Sequence, residues 1–578
     1  MPESGLEKHS FCTHWIKDGI KKDYVDWLSL NSIKKKNIED GKHNFFKKIS
    51  RVFIESPSGT GKSTFIFKNL IPQIASDKKR HSHSILYLGN RDALKLQIGK
   101  NIESLHSAYA ESILEDNPSS SNLKKYYYDD GDNKACLYIS NYQSMLKQIN
   151  MWNFGSVLEI DLKEDIEIVI FNEVHFFLYD SLFNPFTELI FERLIMRFKN
   201  SAMVFMSATL DEAREWIVNM INQCWSGQET QTSLISNRFI YYKNTYAQGN
   251  YKLNLYTNYY KILHIIENCA ESEKWIIFVS SKKRGRELMR RLSEMNIPAS
   301  FLSADTKNSS AWNQIVEDES FSANVLITTK VLDNGSNILN PYVRHIVLPF
   351  CCKTDFVQML GRRRITDNRV INIYAELPDE KKVKSYIKET KKKLNTLDTV
   401  INMRNGMNFN VSVLQKLWLT GDKSINKLFY IDSRASLMPN YAAVYKLKKL
   451  LNFYEDVLKK IYDPEAYIEL LSSWLPSKTL DDTIYLDSVS GESIKSIDEF
   501  IERYKNVPLE PNSIYDEFIR VYKNECYMKY SKDEFNEMMN IKKAKNIRKA
   551  TINHALEKLG KPYKILKIKN CWILSEID

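Results

Sequence analysis

The sequence predicts an α/β protein made of two successive parallel-sheet domains followed by a mostly helical region. Three observations lead there. From about residue 50, short apolar runs alternate with helix-length amphipathic stretches; the pattern pauses in a polar stretch at 225–250 and then restarts; after Leu377 it gives way to helical periodicity rich in Lys and Tyr. An apolar run without polar alternation is the signature of a strand whose sheet is covered on both faces. In the first domain, 46–235, these runs are RVFIES (51–56), SILYLG (84–89), ACLYIS (135–140), EIVIF (167–171) and AMVFM (202–206). In the second, 250–376, they are WIIFVS (275–280), ASFLS (299–303), NVLITT (324–329), RHIVLP (344–349) and VINIY (370–374). Residues 1–45 read as a helical extension, 377–530 as a helical domain and 531–578 as a terminal module. In that module DEFNEMMNI and KNIRKATINHALEKLG read as helices and YKILKIKNCWIL as a hairpin, the order of a winged helix. Seven Lys/Arg stand against the single Glu557 over 541–561, on a helix whose apolar stripe is Ala544, Ile547, Thr551, Ala555 and Leu559. A solvated basic face on a small bundle fits that pattern equally well.

Composition bounds the class. A chain of 578 residues is too long for one core, and 43% hydrophobic with 26% charged residues is the balance of a water-soluble globular protein. No apolar run nears the roughly 20 residues of a membrane-spanning helix. The N-terminus lacks the basic-then-apolar pattern of a secretory signal. Eight scattered cysteines with no CxxC pair point to reduced thiols in a cytoplasmic protein, not to a disulfide framework or a zinc site. A net charge of +11 tilts the balance toward a polyanionic partner.

The chemistry concentrates in two segments of the first domain. Ser56-Pro-Ser-Gly59-Thr60-Gly61-Lys62-Ser63-Thr64 follows a predicted strand and opens a predicted helix. Glycines there let backbone N–H groups and the helix N-terminus wrap a phosphate chain. Lys62 would reach the β- and γ-phosphates of ATP, and the Ser63 hydroxyl would ligate Mg²⁺. Further on, the strand Val169-Ile170-Phe171 ends in Asn172-Glu173. A nucleotide hydrolase needs one carboxylate on its Mg²⁺ shell and a second to activate the attacking water. Two adjacent acidic positions at a strand end meet that need, and here the pair is Asn172-Glu173.

With these segments in this order, the chain resembles the superfamily 2 helicases of the DEAD/DEAH-box type. Ser56–Ser63 resembles their motif I and Asn172-Glu173-Val174-His175 their DExH motif. Ser207-Ala208-Thr209 is similar to the SAT motif, which with His175 couples hydrolysis to strand movement. Gly89 to Gln97 resembles motif Ia, and Ser140 to Ser144 the segment near motif Ib. In the second domain 276–288 resembles motif IV, Thr328 to Gly335 motif V, and Gln358-Met-Leu-Gly361-Arg362-Arg363-Arg364 motif VI. The likeness covers about residues 50–375 and implies two tandem RecA-like domains that bind ATP and Mg²⁺ between them. It implies nucleotide contacts at Ser56, Gly59, Thr60, Gly61, Lys62, Ser63, Thr64, Gly335 and Gln358, and metal contacts at Ser63, Asn172 and Glu173. Arg362, with Arg364 as the second arginine and Arg363 its competitor, would stabilise charge developing on the γ-phosphate once the cleft closes. Arg91, Lys282, Thr329 and Lys330 would touch a nucleic-acid backbone without reading its sequence.

Two departures matter. Ile365 occupies the position of the family's second motif VI arginine, and Asn172 replaces the metal-shell aspartate. An amide keeps the shape and an oxygen acceptor but loses a charge, which weakens divalent-metal binding by roughly a few kcal/mol. The sequence therefore carries two readings. One is an ATP-driven helicase or translocase, on DNA before RNA by its likeness to helicases of bacterial phages and mobile elements. The other is an ATP-gated binding module that clamps nucleic acid or protein and turns over poorly.

Overall fold

The apolar runs of the first half do form a sheet covered on both faces. A computed structural model describes residues 6–20, 27, 32–36, 43–76, 84–90, 109–112, 124–129, 131–153, 166–225, 233–246, 249–269, 272–306, 309–334, 337–364, 369–405, 427–432, 436–475, 484–485, 496–505, 508–509, 514–515, 518, 521–522, 547–568 and 571–577. The strands of the first sheet are β1 (Leu6–Phe11), β2 (Ser32–Lys36), β3 (His43–Glu55), β4 (Ser84–Gly89), β5 (Tyr109–Ser112), β6 (Lys124–Asp129), β7 (Lys134–Asn141), β8 (Ile168–Asn172), β9 (Ala202–Ser207) and β10 (Ser233–Asn244). Their order is β1-β10-β3-β9-β8-β4-β7-β6-β5, with β2 antiparallel on the first half of β3. From β1 to β7 along that order the pairing is parallel. Phe53, Leu86, Val169, Phe171, Met203 and Phe205 enter one core; their strand neighbours Val52, Ile54, Ile85, Tyr87, Ile170 and Val204 enter the other. Successive side chains on a strand point to opposite faces, so two buried faces require every position to be apolar.

The second sheet comprises β11 (Asn250–Tyr256), β12 (Lys274–Phe278), β13 (Ala299–Leu302), β14 (Val325–Thr328), β15 (Val343–Leu348) and β16 (Val370–Glu376), in the order β13-β14-β12-β15-β16-β11. Both sheets are of the RecA-like, parallel kind. In each, the predicted motifs follow the C-terminal ends of the strands, where open α/β sheets place their ligands.

Three boundaries differ from expectation. Where 1–45 is expected to be helical, its described residues hold β1, β2 and the start of β3 beside the short helix Ile16–Ile20. Strand β1 is an edge strand whose four central residues are exposed, so it carries no apolar signature and is held by backbone pairing to β10. The polar stretch 225–250 contains β10, which lies between β1 and β3; the first domain therefore extends past 235. The helical domain 377–530 is not one body: the chain divides into Met1–Leu253 with Glu267–Thr483, and Asn254–Ile266 with Ile484–Asp578.

Within the larger unit, α1 (Asp211–Trp225) follows β9 and α2 (Lys353–Leu360) follows β15. Beyond β16, α3 (Glu380–Arg404) pairs with α4 (Tyr441–Lys460) through Leu394, Leu397, Ala443, Val444 and Leu447. Helix α4 also lies on the first domain: Lys446 donates to Glu212 at 2.6 Å and stands 3.8 Å over the Tyr179 ring. Its aromatic residues Phe453 and Tyr454 meet Phe350 beyond β15.

The smaller unit closes on its own core of Ile497, Phe500, Ile501, Phe518, Ile565, Trp572 and Leu574. Helix α5 (Ile547–Lys558) precedes the predicted hairpin, whose strands Tyr563–Ile568 and Cys571–Glu576 pair antiparallel. On α5, Ile552 and Leu556 are buried beside Ala555; Ala544 and DEFNEMMNI lie outside the described residues. Among the described residues no helix is long and apolar enough to cross a membrane.

The Lys446–Glu212 pair is asymmetric, because the lysine is 3% exposed and the glutamate 30%. Removing the glutamate strands a buried ammonium. Glu212→Ala should therefore cost about 3 kcal/mol, while Lys446→Met should cost about 1 kcal/mol or less. Urea midpoints of the two variants check this, and equal midpoints would refute it.

Candidate active site

The glycine-rich turn after β3 is shaped for an anion. Gly59 and Gly61 have φ of 88° and 79°, a region open mainly to glycine. A Cβ on Gly61 would also lie 2.7 Å from the Trp15 ring. The loop is tied down by hydroxyls. Thr60 Oγ1 donates to Pro57 O at 2.8 Å, so Ser56 Oγ, 2.6 Å away, donates to Thr60. Ser56 Oγ in turn accepts from Asn244 Nδ2 at 3.0 Å, and Ile16 N donates to Thr60 O at 3.2 Å. A serine at 56 thus anchors the loop to β10. Lys62 Nζ donates to Ser56 O at 2.7 Å and Pro57 O at 3.0 Å, and Thr64 is exposed one turn into the helix.

Strands β3, β9 and β8 are neighbours, which sets the other two motifs of this domain beside the loop. Asn172 is buried at the end of β8, its carbonyl accepting from Tyr142 Oη at 2.8 Å. Glu173 follows with φ of 56°, a costly backbone for a non-glycine residue and one that clusters at functional sites. His175 Nδ1 lies 3.0 Å from Ser207 Oγ and 3.3 Å from Glu173 Oε2. Two oxygens facing one ring nitrogen favour the Nδ1–H tautomer. Ser207 Oγ also accepts from Thr209 N at 3.1 Å, and Ser207 O accepts from Ser56 N at 3.2 Å. One chain of contacts therefore runs from Glu173 through His175 and Ser207 to the loop. Ala208 and Thr209 line the cleft beside it.

The second domain faces this wall across a cavity of about 300 Å³, lined by Pro57, Ser58 and Thr209 on one side and by Gly361 and Arg363 on the other, and not by Lys62, Glu173, Arg362 or Arg364. Gly361 approaches so near that a Cβ there would meet Ser58 Oγ at 2.7 Å. Arg362, buried, donates to Gln358 O at 3.1 Å and Gln358 Oε1 at 2.8 Å. Arg364 Nε donates to Asn337 Oδ1 at 2.8 Å, while Arg363 Nε is turned to Val343 O at 3.4 Å. Of the two candidates, Arg364 is the one whose charge acts on Lys62. An ion pair between Lys353 on α2 and Asp211 on α1, 2.6 Å, links the two walls.

The electrostatics follow from this gathering. Burial, then the charges of Arg364 and Arg362, pull Lys62 down to about 8 from its ordinary 10.5, against the opposing pull of Glu173. Burial alone would raise Glu173, but His175, Lys62 and Arg362 outweigh it and hold the carboxyl at about 2. Burial and Arg362 lower Arg364 to about 10. Among the described residues, buried polar atoms without a hydrogen-bond partner here include Thr209 Oγ1, Gln358 Nε2 and Arg364 Nη1. Such atoms each cost about 1–3 kcal/mol unless something meets them. A triphosphate with Mg²⁺ fits both this demand and the surplus of cations.

Residues expected to hold nucleic acid are less exposed to that role. Lys282 is paired to Asp305 at 2.7 Å and Lys330 to Asp355 at 2.6 Å. Thr329 is engaged through its backbone, N to Leu302 O and O to Thr328 Oγ1. Arg91, Gly335 and Ile365 lie outside the described residues. Sequence reasoning missed Trp15, Asn244 and Tyr87. Tyr87 is wholly buried on β4 beside Ser63, and its place in an apolar run gave no sign of this.

The geometry defines a cleft between two RecA-like sheets. Residues 36–216 match the family model described as DEAD/DEAH box helicase. No curated protein matches the chain. Similar solved structures include S. cerevisiae Dbp5 bound to RNA and ADP–BeF₃, at 17% identity over 57% of this chain and 79% of that one, TM-score 0.36. A DEAD box protein from the hyperthermophile Methanococcus jannaschii has 15% identity over 57% and 82%, TM-score 0.29. The Mycobacterium smegmatis helicase Lhr bound to ssDNA and AMP-PNP has 14% identity over 68% and 56%, TM-score 0.36.

Because the folded-state value of Lys62 lies below 10.5, the unfolded chain binds more protons between pH 8 and 10.5. Its contribution to stability therefore rises with pH across that window. A polyphosphate restores the charged lysine, so ATP binding in the same window should take up protons. Calorimetric titration in two buffers of different ionisation enthalpy should give different apparent enthalpies for the parent. The Lys62→Met variant should lose that difference.

Proposed function

We propose that this protein is an ATP-dependent helicase or translocase acting on nucleic acid, DNA in preference to RNA. The observation that carries the reading is the convergence of Lys62, Glu173, Arg362 and Arg364 from two domains on one cleft. Lys62 and the loop N–H groups hold the β- and γ-phosphates, and Ser63, Asn172 and Glu173 supply the oxygens of a metal shell. Bound Mg²⁺ would supply positive charge against the phosphates. Glu173, kept ionised, orients the attacking water, and Arg362 and Arg364 meet the charge that develops on the γ-phosphate. Gln358 fixes Arg362 and offers its Nε2 to the nucleotide. Trp15, 42% exposed and packed on Gly61, offers a face for the base. His175 and Ser207 pass the state of the cleft to the Ser207-Ala208-Thr209 segment. Arg91, Lys282, Thr329 and Lys330 stand as strand contacts, the two lysines after exchanging their carboxylate partners for phosphate. The reading of an ATP-gated clamp rests on Asn172, whose neutral amide weakens the metal shell.

Steady-state ATP hydrolysis, measured alone and with single-stranded DNA, RNA and duplex, separates the two readings. A motor is stimulated by one nucleic acid and silenced by Lys62→Ala. Silence in the parent with turnover in Asn172→Asp would favour the clamp. Arg364→Ala should lower kcat by about 10²–10³-fold, with a much smaller loss for Arg363→Ala; the reverse order would exchange their roles. Loss of stacking in Trp15→Ala, about 1–3 kcal/mol, should raise KM for ATP and leave kcat alone.

A further inference from the structure

The N-terminal ends of the second sheet's strands carry a separate cluster. Cys269 and Glu273 precede β12, and His345 sits near the start of β15. These ends lie opposite the strand ends that carry the motifs. Cys269 Sγ is 3.2 Å from Glu273 Oε2 and 3.4 Å from His345 Nε2, and Nε2 is 2.7 Å from Oε2. One sulfur, one nitrogen and one oxygen ligand atom thus converge within 4.8 Å of one another.

We propose that Cys269, Glu273 and His345 form a binding site for a zinc-class divalent transition metal. Ligand bonds of about 2.0–2.3 Å around a tetrahedral ion put neighbouring donor atoms about 3.3–3.8 Å apart. The two sulfur separations are already close to that range, and the Nε2–Oε2 pair must open by about half an ångström. A thiolate with an imidazole selects zinc-like ions over Mg²⁺ or Ca²⁺, so the site does not compete for the nucleotide's metal.

The surroundings orient the imidazole as a metal site requires. His345 Nδ1 is 3.1 Å from Tyr374 Oη, which leaves Nε2 to face the cluster. The ring is stacked on Trp275, its cross-strand partner, at 3.9 Å and 8°. His345 is buried while Glu273 is 40% exposed, so ions can enter from solvent. Three protein ligands leave a fourth position for water. Hydrogen bonding alone also accounts for the close Nε2–Oε2 contact, so the test must read the thiolate directly.

The test uses full-length protein, stripped by chelator, and titrated with Co²⁺ and then Zn²⁺. The expected result is a stoichiometric thiolate-to-cobalt absorption band that Zn²⁺ removes and that is absent in Cys269→Ser. Tyr374→Phe should retain the band but bind about 10- to 100-fold more weakly. Cys269→Ser keeps a hydroxyl in place, so its ATP binding serves as the control for folding. No thiolate band in the parent, or the same band in Cys269→Ser, would overturn the proposal.

Discussion

Three cationic side chains, Lys62, Arg362 and Arg364, are gathered about the carboxylate of Glu173 in a partly desolvated cleft. Like charges at that range repel, and burial withholds the water that would screen them. The gathering persists because the backbone imposes it from two directions. Parallel order brings β3, β9 and β8 side by side, so the loop, Ser207 and Glu173 share one edge. Gly361 against Ser58 then brings Arg362 and Arg364 up from the other sheet. A cleft built in this way is deficient in negative charge and short of hydrogen-bond acceptors, and a polyphosphate corrects both at once.

Asn172 alters that balance in two opposing directions. An aspartate there would add a second carboxylate, draw a divalent ion more strongly and relieve the surplus of positive charge. The amide leaves phosphate attraction undiminished while weakening the hold on the metal. On the proposed reading, nucleotide binding would therefore be better preserved than metal-assisted turnover. Tyr87 bears on the same point: its buried hydroxyl beside Ser63 is a hydrogen-bond donor at the foot of the metal shell, where most of the surrounding core is apolar.

What the sequence made legible is what covered sheets and phosphate loops demand of composition. The strands with two buried faces, Ile85–Leu88 and Ile168–Phe171 among them, stand out because both faces exclude polar side chains. The phosphate loop stands out because Gly59 and Gly61 need positive φ. Strands β1 and β10 were hidden because their pairing is a backbone matter, and polar residues are tolerated at or near an edge. Trp15 and Asn244 were hidden for another reason: the same β1–β10 pairing carries them to the loop from more than 40 residues before it and more than 180 after it. Cys269, Glu273 and His345 likewise lack a local metal-binding spacing and meet only because β12 and β15 are neighbours.

Helix α4 constrains how the cleft can open. It touches the first domain through polar contacts, Lys446 to Glu212, Lys449 to Glu215, and the Tyr441 and Ala442 amides to Glu188, and through Ala442 and Tyr445, which pack into that domain's core. It touches the second through rings, Phe453 and Tyr454 on Phe350 and Tyr454 on Tyr386 of α3. Separating the rings exposes apolar surface at about 25 cal/mol per Å², with no compensation from water. Separating the ion pairs exchanges protein partners for hydration and costs much less for the exposed ones. Lys446 is the exception, since it is buried, and so it is the contact that resists. When the cleft opens, the Lys446–Glu212 pair should therefore be the last of these polar links to break.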